Sequence, residues 1–558
     1  MQVKKYIIRI CIFLFPASLI AQTNYTIPGS KEYQMLERLE IKTNNADLMF
    51  SIAKPYSRKF AVNAVELIDS LNRNKQRGGF PLSDIDKYNM QRFLMNNSEW
   101  SKPRAAFKSE KPVFNTFYKS RGNLIEVNEK DFFLVINPVI QYKFLSESNN
   151  NERLFLNSRG ISVRGMISRK IGFNIYFTEN QERDPLYVQR YISKFSGVPG
   201  VGFYKKFKNT GVDYFDTRGS ISWNVAKFID MQFGYDKNFI GNGFRSLYLS
   251  DFSNNALFLK INTRIGKFNY QNLFMELIPQ TRLTGGNLLA RKYFRMNHLS
   301  LNLAKWLNVG IFDAVMFSRK DRFDFMYLNP ILFLRASEQM VGSPDNALVG
   351  IDFKMNLAKQ FQVYGNLNMD EFKLSELKNN TGWWANKYGY QFGVKYIDAF
   401  GIKNTDIQIE TNRIRPFTYS HYDSVANYTN YNLPLAHPLG ANLQEYVAIV
   451  KSQPFKKLYL DLKVISYFQG ADSAGKNFGN NPFLNYNTRP REYGFQVGSG
   501  EKVTCLLASF NAAYEIKENM FFEIGVTFRD YKAPKADEKT TIFSAGFRWN
   551  MARRDFDF

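Results

Sequence analysis

Residues 161–177 read ISVRGMISRKIGFNIYF. Ile161, Val163, Gly165 and Ile167 share one parity, while Ser162, Arg164, Met166 and Ser168 share the other. After Ser168-Arg169-Lys170 the alternation resumes, with Phe173, Ile175 and Phe177 set against Asn174, Tyr176 and Thr178. A period of two is the side-chain period of a β-strand, and so short a connection makes the pair a hairpin. One face is apolar and the other hydrophilic, so what each face meets decides the fold.

The pattern recurs down the chain. From Asp131 onward we read eighteen such segments: 131–144, 160–168, 171–180, 216–225, 228–236, 256–265, 268–277, 294–304, 306–317, 346–357, 360–370, 388–397, 404–413, 444–452, 457–468, 503–514, 519–530 and 540–550. Many have about the ten residues that a tilted membrane-crossing strand needs. Connections are tight at Ala226-Lys227, Ala358-Lys359 and Lys517-Glu518-Asn519. They are long and rich in Asn, Gly, Tyr and charge at 181–215, 318–345, 414–443 and 469–502. Short turns at one end and long loops at the other are the asymmetry of an outer-membrane barrel, and an even strand count puts both barrel ends on the periplasmic side.

In FQVYGNLNMD, Phe361, Val363, Leu367 and Met369 are expected to face lipid, and Gln362, Tyr364, Asn366, Asn368 and Asp370 the lumen. Val349, Ile351, Phe353 and Met355 should likewise lie outside, with Asp352, Lys354 and Asn356 inside. A soluble sandwich also alternates, but it rarely sustains such polarity on one face and so much Phe on the other. Closing the sheet also removes its edges. The fold class is therefore all-β, an outer-membrane antiparallel β-barrel of eighteen strands. Composition agrees: 52 Phe and 32 Tyr coexist with a mean hydropathy of −0.35, because averaging over both parities hides the apolar face.

The first residues, MQVKKYIIRICIFLFPASLIAQT, carry Lys4, Lys5 and Arg9 ahead of an apolar run to Ile20 and a small residue, Ala21. That is a secretory signal peptide over 1–21. Cys11 lies within it, which leaves Cys505 alone in the mature chain and permits no internal disulfide. Residues 22–125 read differently from the rest. SRKFAVNAVELIDSLNRNK sets Phe60, Ala64, Val65, Ile68 and Leu71 at helical spacing behind a candidate N-cap, Ser57. PLSDIDKYNMQRFLMNN places Asp86 three residues after Ser83, an acidic capping box. We therefore assign 22–125 to a short N-terminal periplasmic helical segment and 126–558 to the transmembrane barrel. The alternation of Phe543, Ala545, Phe547 and Trp549, with Phe558 beyond it, resembles the assembly signal of outer-membrane barrels.

Net charge is +24, which favours anionic partners. Export argues against nucleic acid and leaves lipopolysaccharide phosphates, other outer-membrane lipid or an acidic surface glycan. A basic channel lining is the alternative.

Little in the sequence points to catalysis. His298, His421, His437 and Cys505 have no metal-ligand spacing, and GVPGVG at 197–202 lacks the Lys-Ser/Thr of a phosphate loop. No metal and no cofactor is expected. MNHLSLNL places His298 and Ser300 on one strand face, the spacing used by outer-membrane phospholipases. Here Leu299, Leu301 and Leu303 hold the lipid parity and turn the pair inward, where folding about the 304–307 turn would set Asp313 near His298. Two clusters suit binding better. GNGFRSLYLSD (241–251) offers Arg245 and Asp251, and NNTGWWANKYGY (379–390) offers Trp383 and Trp384. Aromatic faces beside amides and charges suit sugar rings, which present apolar C–H faces and hydroxyl rims. The alternatives are a lumen-folded loop for the first and an interfacial aromatic belt for the second.

GNGFRSLYLSD, HLSLNLAKWLNVGIFDAVMFSR, YLNPILFLR, GWWANKYGYQFGVKY and LAHPLGAN together resemble the capsule assembly protein Wzi family, in particular its Bacteroidota branch, which includes the gliding motility protein RemB. The resemblance implies an eighteen-stranded barrel with helices occluding its periplasmic mouth. It also implies a non-enzymatic, lectin-like role in holding capsular polysaccharide. Two further roles come into view with it, an accessory of gliding and adhesion that anchors envelope motility proteins, and a passive channel.

Overall fold

The computed structural model describes residues 25–558 apart from 28, 75–79, 110–111, 115, 283–285, 287, 320–321 and 332; the expected signal peptide lies outside them. Among the described residues, eighteen antiparallel strands close into a barrel. They are β1 (Phe132–Glu147), β2 (Asn150–Ile167), β3 (Ile171–Arg183), β4 (Gly211–Ala226), β5 (Ile229–Asp236) and β6 (Ala256–Ile265). Next come β7 (Phe268–Leu277), β8 (Lys292–Ala304), β9 (Leu307–Phe317), β10 (Asn346–Leu357), β11 (Phe361–Glu371) and β12 (Lys387–Tyr396). Then β13 (Thr405–Ile414), β14 (Leu443–Phe455), β15 (Leu458–Ala471), β16 (Glu501–Lys517), β17 (Met520–Ala533) and β18 (Ala536–Trp549) complete the wall. β18 pairs back onto β1, from Trp549 opposite Ile140 to Ile542 opposite Glu147, so the cylinder has no free edge. The sheet and its two-sided surface make this a multi-pass outer-membrane barrel.

The alternation holds where it was read first. Ile161, Ile167 and Ile175 are exposed on the outer wall. Arg164 turns inward to the Glu99 carboxylate at 3.1 Å. On β10, Ile351 is 55% exposed while Asp352 and Lys354 are buried.

Three helices fill the short-turn end: α1 (Lys31–Thr43), α2 (Arg58–Arg73) and α3 (Asp84–Asn96). Ser57 sits at the N-cap of α2 without a side-chain bond, whereas Ser83 and Asp86 form both bonds of the capping box on α3. Their apolar faces pack on one another through Leu36, Leu39, Val62, Val65, Ile68 and Phe93. Toward the barrel they present charge. Lys31 reaches Glu515 and Glu518 at 2.6 and 3.0 Å. Arg38 meets Asp86, Asp398 and Asp406, and Lys42 meets Asp86 and Asp398. In the reverse sense, Lys354 and Lys395 of the wall hold Glu40 and Glu37. The plug is docked through ion pairs around most of its rim.

Asp86 is the hub of that network. Burial alone would raise its carboxyl, but Arg38 and Lys42 outweigh burial and hold it down at about 2. A carboxyl lowered in the folded state stabilises the pairing of α3 with α1 fully above its unfolded value near pH 4, and the effect disappears as pH falls toward 2. It contributes about 2 kcal/mol. Amide exchange of α1 and α3 should therefore accelerate between about pH 4 and 2 beyond the intrinsic rate change, and Asp86→Asn should flatten that dependence.

The lumen is not uniformly hydrophilic, which corrects the simple two-sided reading. In the sector β6–β10 the inward positions include Phe258, Phe294, Met296, Phe312 and Met316. They pack with Ile52 of the plug segment, with Leu247 and Tyr248 of loop 237–255, and with Tyr419, Tyr428 and Leu435 of loop 415–442. Tyr248 stacks on Phe312 with ring centroids 4.2 Å apart. Both loops fold inward from the long-loop end, and the inner wall is apolar where their apolar side chains land.

Loop 318–345 does the opposite and lies on the outside. Tyr293, Val315, Phe317 and Ala347 occupy the outward parity, yet they are buried under Tyr327 and Leu334 of this loop. Beneath it runs an outward polar seam. The Leu334 amide donates to Asp313 at 2.5 Å, Asn272 donates to the Pro330 carbonyl at 3.2 Å, and Arg295 donates to the Tyr327 carbonyl. The flap's own outer surface is apolar: Phe325, Ile331 and Met340 are exposed by 80%, 84% and 70%.

The segment 550–558 returns into the lumen after β18. Arg553 pairs with Asp461 and Asp555 with Lys463, while Arg554 pairs with Glu182. Phe558 packs on Tyr187, Tyr191 and Phe252 inside the barrel.

Candidate functional site

Helix α4 (Leu186–Phe195) starts behind Pro185 within the loop after β3 and lies across the extracellular mouth. Its spacing places Tyr187, Val188, Tyr191, Ile192 and Phe195 on one apolar stripe. Phe558 supports that stripe from below. Between α4, loop segments 434–440 and 480–483, and the upper ends of β15–β18 lies a cavity of about 350 Å³. Tyr191, Phe195 and Phe483 give it a continuous aromatic side, with centroid spacings of 4.6 and 5.8 Å. Arg190 and Lys194 stand exposed at its edge, and Arg529 of β17 is buried in its wall. Glu538 is the acidic residue of the lining, and it is bonded to Arg190. Aromatic faces with a surplus of cations bind apolar ring faces and anionic groups together.

The residues singled out from sequence lie elsewhere. Arg245 is buried in the mid-lumen, where it pairs with Glu445 at 2.9 Å and Asp557 at 3.2 Å. The Phe244 and Arg245 amides donate to Glu410. A Cβ on Gly243 would come within 2.4 Å of that carboxylate, so the glycine is what allows this approach. Asp251 is exposed, and its carbonyl accepts from Lys237. Trp384 is buried in the extracellular loop cluster, donating to Glu492 at 2.8 Å with the Arg489 guanidinium 4.0 Å over its ring. Trp383 is half-buried beside it, with Lys373 5.5 Å from its ring.

His298 faces inward, but its acid is Asp352 at 2.8 Å, not Asp313. The register sets Phe312 opposite His298, and alternation then sends Asp313 to the outer wall under the flap. The His298–Asp352 contact passes over Gly310 of the intervening strand, where a Cβ would lie 2.5 Å from Asp352 and 2.7 Å from His298. Ser300 donates to Asn308. Gly310→Val should therefore break this contact and destabilise the barrel by about 2 kcal/mol or more through overpacking and an orphaned carboxylate, measured as a fall in the temperature at which the folded barrel is lost on semi-native gels.

No protein-family model matches the chain, and no curated protein matches it. Among solved structures it is similar to Wzi, an outer membrane protein involved in group 1 capsule assembly in Escherichia coli and described as a carbohydrate-binding β-barrel. The two share 11% identity over 96% of this chain and 100% of that one, with a TM-score of 0.55. OprD of Pseudomonas aeruginosa aligns with 75% of this chain and 94% of its own at 10% identity, with a TM-score of 0.42. The likeness to Wzi is one of fold: the chain is a Wzi-like outer-membrane barrel.

Proposed function

We propose that this protein is a non-enzymatic outer-membrane barrel that attaches or helps assemble surface polysaccharide. One observation carries the reading: an aromatic, cation-rich cavity opens at the extracellular mouth of a barrel whose lumen is occupied by helices, loops and the segment 550–558. A filled lumen speaks against a passive channel, and an outward-facing aromatic site suits a ligand held at the cell surface. The carbohydrate binding of the Wzi barrel supports the same reading for this fold. Trp383 and Asp251 are further contacts for a long chain, while Arg245 and Trp384 support the loops that carry the site.

The test is direct. Deleting the gene should shed capsular material that the intact strain retains, as seen by capsule staining, and the purified barrel should capture glycans on an array. Raised salt should weaken that capture, because the exposed cations are screened within about 10 Å at 0.1 M. Unchanged capsule retention counts against the proposal. The sequence likeness to the Bacteroidota branch favours a second role as an accessory of gliding and adhesion. That role predicts co-purification with envelope motility proteins and little glycan capture.

A further inference from the structure

We propose that the cavity beside α4 takes a carboxylate-bearing sugar, with the carboxylate on Arg529. This rests on the glycan reading above and names the chemistry of its ligand.

Arg529 points inward from β17 and is only 6% exposed. Six other arginines of the barrel interior, Arg38, Arg164, Arg245, Arg548, Arg553 and Arg554, each face a carboxylate, and buried Arg58 donates to the Tyr25 carbonyl and the Asn97 side chain. Arg529 differs. Its Nε is buried without a hydrogen-bond partner, and the groups packed on its guanidinium are rings, Tyr187 at 4.6 Å and Tyr531 at 4.7 Å. A guanidinium taken out of water needs an anion in reach, because burial removes its hydration and the flanking rings replace only part of it. Tyr191 lines the same cavity, and its hydroxyl is also buried without a hydrogen-bond partner. Two polar groups without protein partners therefore converge on one aromatic-walled space.

Size and charge narrow the ligand. A cavity of about 350 Å³ lies at the low end of small-molecule sites, room for about one or two sugar rings. The sugar's C–H face would lie on Tyr191, Phe195 and Phe483, and the Tyr191 hydroxyl would meet a ring hydroxyl. A single planar guanidinium flanked by two rings matches the two coplanar oxygens of a carboxylate. Glu538 does not compete for it, being bonded to Arg190.

The test compares three probes on the full-length barrel in detergent: trigalacturonate, its methyl ester, and a phosphorylated lipopolysaccharide core oligosaccharide. The wild type should bind the acid more tightly than the ester. Arg529→Gln should lose roughly tenfold to a hundredfold in affinity for the acid, as expected for a charged hydrogen-bonded pair, and leave affinity for the ester unchanged. Arg529→Lys should recover part of the loss. Tyr191→Phe, which lies on α4 and leaves every barrel strand intact, should weaken both sugars several-fold. The proposal falls if Arg529→Gln keeps the preference for acid, or if acid and ester bind alike while glycan binding itself persists. It also falls if the core oligosaccharide displaces the acid as well as the acid displaces itself. If no saccharide binds at all, the glycan reading falls with it.

Discussion

Arg38→Met releases the helical plug from the barrel while the barrel itself stays folded. Arg38 is almost fully buried and meets Asp86 at 2.8 Å, Asp398 at 2.9 Å and also Asp406. Removing one partner of a buried ionic cluster costs about 3–5 kcal/mol, because the remaining charges stay out of water unpaired. Lys42 keeps its bonds to Asp86 and Asp398, so Asp406 is the carboxylate left most exposed to the loss. The expected result is a rise of roughly two to three orders of magnitude in protease cleavage or amide exchange across α1–α3, with β1–β18 unaffected. Adding Asp406→Asn should return part of the protection, since it removes the orphaned charge. If Arg38→Met leaves exchange in α1 unchanged, the ion pairs do not hold the plug.

The second large effect concerns passage through the lumen. Two seals lie in series: the helices at the periplasmic mouth, and loops 237–255 and 415–442 in the middle and upper lumen. They meet in one apolar cluster that contains Ile52, Ile240, Leu247, Tyr248 and Tyr428, and the Gly241 amide bonds the Ile52 carbonyl at 2.9 Å. Resistances in series add, so removing one seal leaves the other in control. In planar bilayers the full chain should show no steps above membrane leak. A chain lacking residues 25–124 should still conduct poorly, and one that also has loops 237–255 and 415–442 replaced by short Gly-Ser linkers should open in discrete steps. Steps from the full chain would overturn the reading of a closed barrel and restore the channel.

What the sequence revealed, and what it hid, follows from which neighbour each face meets. The outward parity was legible because lipid is one solvent for every strand, so Ile161, Ile351 and Phe361 follow one rule. The inward parity meets a different surface in each sector. Arg164 is hydrophilic because the plug offers Glu99 there, whereas Phe312 is apolar because Tyr248 arrives from a loop. Alternation cannot say which loop folds where. The flap did leave a mark: Arg295, Asn297 and Asp313 break the lipid parity of β8 and β9, and such a breach means a cover. Helix α4 also leaves a signal, the spacing of Tyr187, Val188, Tyr191, Ile192 and Phe195 within the long segment 181–215. Arg529 leaves none. In TFRDYK it is one lumen cation among many, and its distinction is a missing partner, which depends on elements hundreds of residues apart in the chain.

The flap over β7–β10 makes the molecule directional within the plane of the bilayer. Around most of the circumference, acyl chains meet pleated sheet. On this flank they meet an irregular, Phe- and Ile-studded surface, bonded to the seam beneath through the Leu334 amide and the Tyr327 and Pro330 carbonyls. A neighbour diffusing in the membrane can therefore tell one side of this cylinder from every other, although a barrel wall by itself has no preferred azimuth.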